Sequence, residues 1–471
     1  MSRRMALDRF PLVLALGAML LSGCAGRQIT PAAELAIPTA WRTVTPAGDA
    51  ITDGWWRSFG SPELDRVIQQ ALAGSNDLAA SIARVHQAAA QARIAGAGLW
   101  PAIDAQASAS RQTGGAGDVL GEDGKRFATG LSASYEIDFW GRNRAIRDAA
   151  EAALSASEYD HDTVRLTIVA GAASLWMQTV GLRERAAIAV HHLDLARQTL
   201  ELVQAQARAG AASPLDLAQQ RGLVANQQRI AATLRQAARE SEASLAAWLG
   251  LPVERLTVAA ASLHPVAVPS IDAGLPSALL ARRPDVARAE SRLRAADANI
   301  AAARAALLPN LTLSAGAGFS GGTARTLFDA PLYNIAAGLT APIFDGGRLR
   351  GARDLAIAQR EELLADYRAA IVAAFADVDK ALEATTGLDE QSKAQDEALI
   401  QARHAQALAQ SRYRAGAETM LTVLATQQTL FAAQDLEVQL KQARLQAVVA
   451  LYQALGGGWQ VPSPPARDRY S

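Results

Sequence analysis

The chain carries the stretch RVHQAAAQARIAGAGLWPAIDAQASAS at residues 84–110 and a second version of it, RLRAADANIAAARAALLPNLTLSAGAG, at residues 292–318. The offset is about 206 to 208 residues, which is longer than most domains, so each copy predicts a structural half rather than one unit of a short repeat. Three further matches follow at this spacing: Phe139–Arg144 with Phe344–Arg350, Arg208–Ala211 with Arg414–Ala417, and Leu249–Gly250 with Leu455–Gly456.

The N-terminus has the pattern of an export signal. Three arginines precede an apolar run from Phe10 to Leu21, which at 12 residues is too short to span a bilayer. The only cysteine, Cys24, stands where bacterial lipoproteins carry their acylated cysteine, and Ala25 after it resembles the outer-membrane sorting pattern. We therefore expect a lipid on Cys24 to anchor the mature chain. The alternative is a signal that ends near a free cysteine.

Charge and hydropathy argue against a nucleic-acid-binding protein and against a protein with membrane-spanning helices. The 46 basic and 46 acidic residues balance, so nothing suggests a nucleic-acid partner. No run of 18 apolar residues follows the signal, so any membrane crossing must use strands.

Four segments alternate between apolar and polar residues as strands of a membrane β-barrel do. Any one of them alone could instead belong to a soluble amphipathic sheet. Four strands cannot close a barrel, and an open edge in lipid leaves backbone groups unpaired. Several copies of the chain must then share one barrel, and the arithmetic permits two, three or four. The segments are residues 102–110, 127–139, 311–320 and 334–343.

Two proline-free tracts, residues 142–208 and 348–414, predict helices on the order of 100 Å long at ~1.5 Å per residue. In the second tract Ile371, Phe375, Val378 and Leu382 follow the spacing of a coiled-coil surface. Each tract stops at a turn signal. The first turn has Gly210 for the left-handed position, Ser213 as the cap, Pro214 at the first helical position and Asp216 completing a capping box, and the second has Gly416 and Thr419.

These features predict the following order along the chain. Residues 1–23 are a lipoprotein signal peptide, 24–60 a lipid-anchored segment, 61–250 the first repeat with a β-hairpin at 101–139 and a helical hairpin at 141–249, 251–276 an equatorial linker, 277–456 the second repeat with corresponding hairpins at 309–344 and 347–455, and 457–471 a poorly ordered tail.

An enzyme is not indicated. The six histidines show no metal-ligand spacing, and the chain has no P-loop, nucleophile elbow or dinucleotide fingerprint. We therefore expect no catalytic residue, no metal and no cofactor other than the covalent lipid. Two rival functions stay open: a non-conducting lipoprotein that spans the envelope, and a duct for type I protein secretion.

Several motifs together resemble one family: Trp55-Trp56, YEIDFWGRNR from Tyr135, SLAAWLG from Ser244, LPSALLARRPDVARAE from Leu275, and the paired RAG turns. The chain is similar to the TolC-like, NodT-type outer-membrane factors of tripartite efflux pumps. This resemblance implies an α+β membrane protein, a homotrimer with a 12-stranded outer-membrane barrel, a periplasmic helical barrel and a mixed equatorial domain. It would passively conduct drugs or other small molecules from an inner-membrane pump of the resistance-nodulation-division (RND) type and a periplasmic adaptor.

The resemblance also assigns two groups of site residues. In relatives a ring of aspartates narrows the pore where this chain has Ala425, and residues matching Tyr413 and Asp216 hydrogen-bond to hold neighbouring hairpins together. The adaptor-contact tips would be Gly210, Ala211, Ser213, Pro214, Leu215, Gly416, Ala417, Thr419 and Leu421, and the periplasmic gate would be Asp216, Tyr413, Arg414, Thr422 and Ala425.

Overall fold

The structure, a computed structural model, describes residues 37–43, 48, 51–111 and 125–461. The chain divides into two units, Met1–Ala36 and Ile37–Ser471. The first unit, which includes the predicted signal and the predicted lipid site at Cys24, lies outside the described residues. The second unit is an α+β structure.

The order of elements repeats once along the chain, as the sequence duplication predicts. The first half contains α1 (Pro62–Gly74), α2 (Asn76–Ala97), β1 (Ala102–Arg111), β2 (Lys125–Ile137), α3 (Arg142–Arg208) and α4 (Pro214–Trp248). The second half contains α5 (Pro276–Leu279), α6 (Pro284–Ala305), β3 (Asn310–Gly321), β4 (Pro331–Thr340), α7 (Arg348–Arg414) and α8 (Met420–Ala454). The long helices α3 and α7 have 67 residues each, and α4 and α8 have 35 each.

The four strands form one antiparallel sheet in the order β1-β2-β3-β4. Its register aligns Ile103, Ala133, Ala315 and Ile335 in one row, so the apolar positions of all four segments share a face. The last strand ends at Thr340 rather than at the predicted residue 343, because Pro342 has no N–H for a ladder.

The helices pack mainly on α3, which contacts α2, α4, α6 and α8. The predicted coiled-coil surface on α7 is confirmed, because Ile371, Val378 and Leu382 are buried and Phe375 is half-buried. Among the described residues, none of the helices combines the length and the apolar character needed to cross a lipid bilayer.

The linker between the halves is held by two carboxylates. Glu63 on α1 accepts hydrogen bonds from the N–H groups of Ala259 and Ala260 at 2.7 and 2.8 Å. Glu184 on α3 accepts from the Ser262 hydroxyl at 2.7 Å and the Leu263 N–H at 2.8 Å. The linker therefore follows a fixed path although it has almost no regular secondary structure.

The start of the C-terminal tail is packed, so the prediction of poor order is wrong for it. The indole N–H of Trp459 donates to Asp162 at 2.8 Å, and its ring meets Tyr159 edge-on at 5.6 Å. The remaining tail residues, 462–471, lie outside the described part of the chain.

The ARRPDVARAE motif has a structural explanation. Arg283, immediately before α6, forms two hydrogen bonds to the Asp285 carboxylate at 2.9 and 2.7 Å. It also donates to Asp377 on α7 at 3.1 Å and to the carbonyl of Ala454 on α8 at 3.2 Å. One guanidinium thus joins the N-terminus of α6, the middle of α7 and the end of α8.

Candidate functional site

The apolar face of the sheet is not covered by any part of the chain that the structure describes. Ile103 on an edge strand is 71% exposed, and Ile335 on the other edge strand is 89% exposed. None of the described helices packs extensively on the sheet. Exposed apolar area costs about 25 cal/mol per Å² in water, so this face is suited to lipid.

Aromatic side chains mark both ends of the sheet. Trp100, Phe139, Trp140 and Phe344 are exposed at the end where the strands meet the helices. Phe319 and Phe328, with ring centroids 5.3 Å apart, lie at the other end. Two such girdles flanking an apolar band are typical of membrane barrels.

The sheet is open at both edges. Each of the edge strands, β1 and β4, pairs with one neighbour within the described sheet, so its outer row of backbone N–H and C=O groups has no partner strand. Such edges are incompatible with lipid unless another chain pairs with them.

Both hairpin tips have the predicted turn geometry. Gly210 and Gly416 have φ angles of +80° and +73°, which L side chains rarely adopt. The Ser213 hydroxyl accepts from the Asp216 N–H at 3.2 Å, and the Asp216 carboxylate accepts from the Ser213 N–H at 2.9 Å. This capping box, and the Thr419 cap on the Thr422 N–H at 3.4 Å, confirm the turn prediction.

All nine predicted tip residues are exposed. Leu215 and Leu421, the second residues of α4 and α8, are 64% and 61% exposed. Each tip therefore presents one apolar side chain at an equivalent position beside a rigid capped turn.

A buried cluster joins the two hairpins just inside the tips. Tyr413, a predicted gate residue, is half-buried and packs against it. The cluster draws on all four long helices: Ala196, Val203, Leu223, Ala409, Met420, Val423 and Leu424.

The predicted hydrogen bond between Tyr413 and Asp216 is not formed within the described chain, and for neighbouring hairpins of an assembly it stays a prediction. The Tyr413 hydroxyl donates instead to the side-chain carbonyl of Gln206 on α3 at 3.0 Å, because the Asp216 carboxylate already binds Ser213 in the capping box. Hydrogen bonds from Ser213 lower the pKa of Asp216. Burial, and then the nearby Asp216 charge, raise the pKa of Tyr413.

The other gate residues do not form one cluster. The Thr422 hydroxyl donates to Glu418 at 2.9 Å, whereas Ala425 is exposed. Arg414 lines a cleft of about 320 Å³ between the hairpins together with Gln406 and Gln410.

Two polar contacts higher on the hairpins were missed by sequence reasoning. Arg185 on α3 forms a bidentate salt bridge with Asp435 on α8, with N···O distances of 2.7 and 3.1 Å. The His192 ring lies 2.6 Å from the Gln434 side-chain oxygen. The sequence duplication does not indicate these two contacts or the bond between Tyr413 and Gln206. Each of the three joins side chains that are not at equivalent positions in the two copies.

The folded chain has an open sheet suited to lipid and two long helical hairpins with exposed tips. It belongs to the outer membrane efflux protein family, whose model matches residues 67–251 and 275–457. It is 47% identical over 470 residues to the pyoverdine export outer membrane protein OpmQ of Pseudomonas putida, which covers 98% of this chain and 100% of that protein. The identity to OpmQ of Pseudomonas aeruginosa is 48% over 456 residues, or 94% and 96% of the two chains.

The fold is similar to the open state of the Neisseria gonorrhoeae MtrE outer membrane channel. The TM-score is 0.83 at 26% identity, over 92% of this chain and 97% of that one. The resemblance drawn from the motifs and the outer-membrane location are therefore confirmed.

Proposed function

We propose that three copies of this chain form the exit duct of a tripartite efflux system. The observation that supports this most is the open sheet, whose apolar face is exposed and whose two edge strands lack outer neighbours. Three chains would supply 12 strands, which is within the range of closed outer-membrane barrels. The duct catalyses no reaction, and a lipid on Cys24 adds a second attachment to the membrane.

The helices continue the duct into the periplasm in this proposal. The hairpin tips contact a periplasmic adaptor, which connects the duct to an inner-membrane RND pump. The exposure of all nine tip residues, and the paired Leu215 and Leu421, support this role. The hydrogen bond between Tyr413 and Gln206 holds the two hairpins together in the closed gate. Ala425 carries no charge, so the pore surface at its position is uncharged.

Cysteine cross-linking tests the shared barrel. With Ala105 on β1 and Ile335 on β4 both replaced by cysteine, a flexible bis-maleimide should join neighbouring chains into covalent dimers and trimers. The control pair is Ala133→Cys with Ala315→Cys, which lie opposite each other in one chain and should give a cross-linked monomer. The proposal would be contradicted if the variant with cysteines at positions 105 and 335 gave only monomer, or if it gave a covalent tetramer.

The exported molecule is proposed from the relatives. Both relatives of 47% and 48% identity are named for pyoverdine export, which favours a small molecule over a secreted protein. Expression of this chain in a Pseudomonas strain lacking OpmQ should restore pyoverdine to the culture medium. The matched control is the double variant Leu215→Asp and Leu421→Asp, in which two exposed residues change and adaptor docking should fail. A wild-type chain that inserts into the outer membrane but exports no pyoverdine would exclude this substrate.

A further inference from the structure

The two long helices begin with the same basic pattern, R-x-R-x-x-R. It is formed by Arg142, Arg144 and Arg147 at the start of α3 and by Arg348, Arg350 and Arg353 at the start of α7. Positive charge in the first turn of a helix is unfavourable because it opposes the helix dipole. Anionic partners offset this cost, which is modest for each exposed charge.

In the first copy, the chain itself supplies those partners. Arg142 makes two hydrogen bonds to Glu136 at 3.2 and 2.5 Å. Arg144 donates to the Asp138 carboxylate at 3.1 Å. Both acids lie just before α3, so the first two charges are neutralised locally.

In the second copy, the first two arginines lack such partners. Neither Arg348 nor Arg350 has a carboxylate within 4 Å in the part of the chain that the structure describes. With Phe139 aligned on Phe344, the residue that matches Glu136 is Ala341, which carries no charge. Asp345 attracts Arg348 at longer range, but its carboxylate accepts hydrogen bonds from the N–H groups of Gly347 and Leu349 at 3.0 and 2.9 Å.

The third arginine of each pattern behaves alike in both copies. Arg147 lies 2.6 Å from Asp148, and Arg353 lies 2.7 Å from Asp354. Arg147 also lies 3.4 Å from Glu151, but the third arginine keeps an acidic partner in both copies, and only the two arginines nearest the sheet lose theirs.

These two arginines lie where the sheet meets the helices. Ile343 and Phe344, directly before the α7 turn, are 93% and 91% exposed. Arg348 lines a groove of about 400 Å³ whose other lining residues include Trp140 and Pro342. The groove also contains Glu136, Asp138 and Arg142. Glu136 is paired with Arg142, and Asp138 with Arg144, so Arg348 is the charged lining residue that has no salt bridge within 4 Å among the described residues.

We propose that this groove binds the head-group phosphate of an anionic phospholipid in the leaflet nearest the helices. The guanidinium group of Arg348 would contact the phosphate, since its planar fork matches phosphate oxygens. Arg350 adds positive charge in the same helical turn, and Ile343 and Phe344 lie beside the acyl chains. The inference rests on the proposed insertion of the sheet into the membrane, and the apolar residues of the groove continue that surface.

Tryptophan quenching measures this binding directly. Trp100 and Trp140 are the exposed tryptophans at this end of the sheet, so brominated lipids that occupy the groove will quench them. The full-length protein in phosphatidylcholine vesicles should bind brominated phosphatidylglycerol about fivefold more tightly than brominated phosphatidylcholine at low salt, as expected for one basic residue near an anionic head group.

The variant Arg348→Gln should bind the two brominated lipids equally, and Arg348→Lys should keep most of the preference. The matched control is Arg353→Gln, which removes a paired arginine from the same helix and should behave as wild type. An unchanged preference in Arg348→Gln, or an equal loss in Arg353→Gln, would overturn the site. Flotation of a Cys24→Ser variant, which cannot carry the proposed lipid, separates the two proposals: protein that floats without a lipid preference refutes only the lipid site, and protein that does not float refutes insertion of the sheet.

Discussion

Replacing Arg283 with methionine is expected to lower the free energy of unfolding by about 1.5–3 kcal/mol, the usual range for hydrogen bonds to charged groups, because the ion pair with Asp285 is partly buried. The Arg283 side chain is 11% exposed. Its loss leaves Asp285 without its cation and the Ala454 carbonyl without a donor. Urea unfolding of the detergent-solubilised protein, followed by helical circular dichroism, measures the change. The control is Arg282→Met at the exposed neighbouring position, which should stay within about 0.5 kcal/mol of wild type.

The pH dependence of the stability difference between wild type and Arg283→Met identifies the cause of that difference. Burial alone would raise the pKa of Asp285, but the hydrogen bonds and charge of Arg283 outweigh burial and hold that pKa below its ordinary value. A carboxyl group with a lowered folded pKa stabilises the protein above its unfolded pKa of about 3.9, and this stabilisation disappears as the pH falls through the folded value. The stabilities of wild type and Arg283→Met should therefore converge below about pH 4. A difference that persists unchanged at acid pH would assign the effect to lost packing instead.

Local patterns in the sequence predict much of this fold. The strand segments are recognisable because alternation at period two needs only neighbouring residues, and the register then aligns Ile103 with Ile335 across the sheet. The tip turns are likewise determined within a few residues, because Gly210 and Ser213 each satisfy a geometric requirement of their own backbone. The sequence predicts the ends of the strands less accurately, because they depend on where the chain leaves the sheet.

Contacts between the two hairpins could not be predicted in the same way. Gln206 and Tyr413, or Arg185 and Asp435, come together only after two long helices have taken a particular rotation about their axes. That rotation depends on packing of small residues along the whole interface rather than on either contact residue. Because alanine occupies several faces of these helices, the sequence does not define which face of α3 meets α8.

Replacing Tyr413 with phenylalanine is expected to open the closed duct. A single hydrogen bond of this kind contributes about 0.5–1.5 kcal/mol. If three copies close one gate and open together, the three losses add, and the ratio of open to closed channels should rise by about 10- to 10³-fold. Single-channel recording in planar bilayers measures this ratio. Tyr367→Phe, which changes a half-buried tyrosine on the same helix far from the tip, should leave it unchanged.

The proposed partner of Tyr413 is tested by a double-mutant cycle. Gln206→Leu removes the acceptor that lies 3.0 Å from the Tyr413 hydroxyl and should open the channel about as much as Tyr413→Phe does. The double variant should then add little, because both single changes break the same bond. If Asp216 were the true partner in the assembled duct, Asp216→Asn would couple to Tyr413→Phe while Gln206→Leu would act independently of it. The cycle thus determines whether the gate is held by a contact within one chain or by one formed only on assembly.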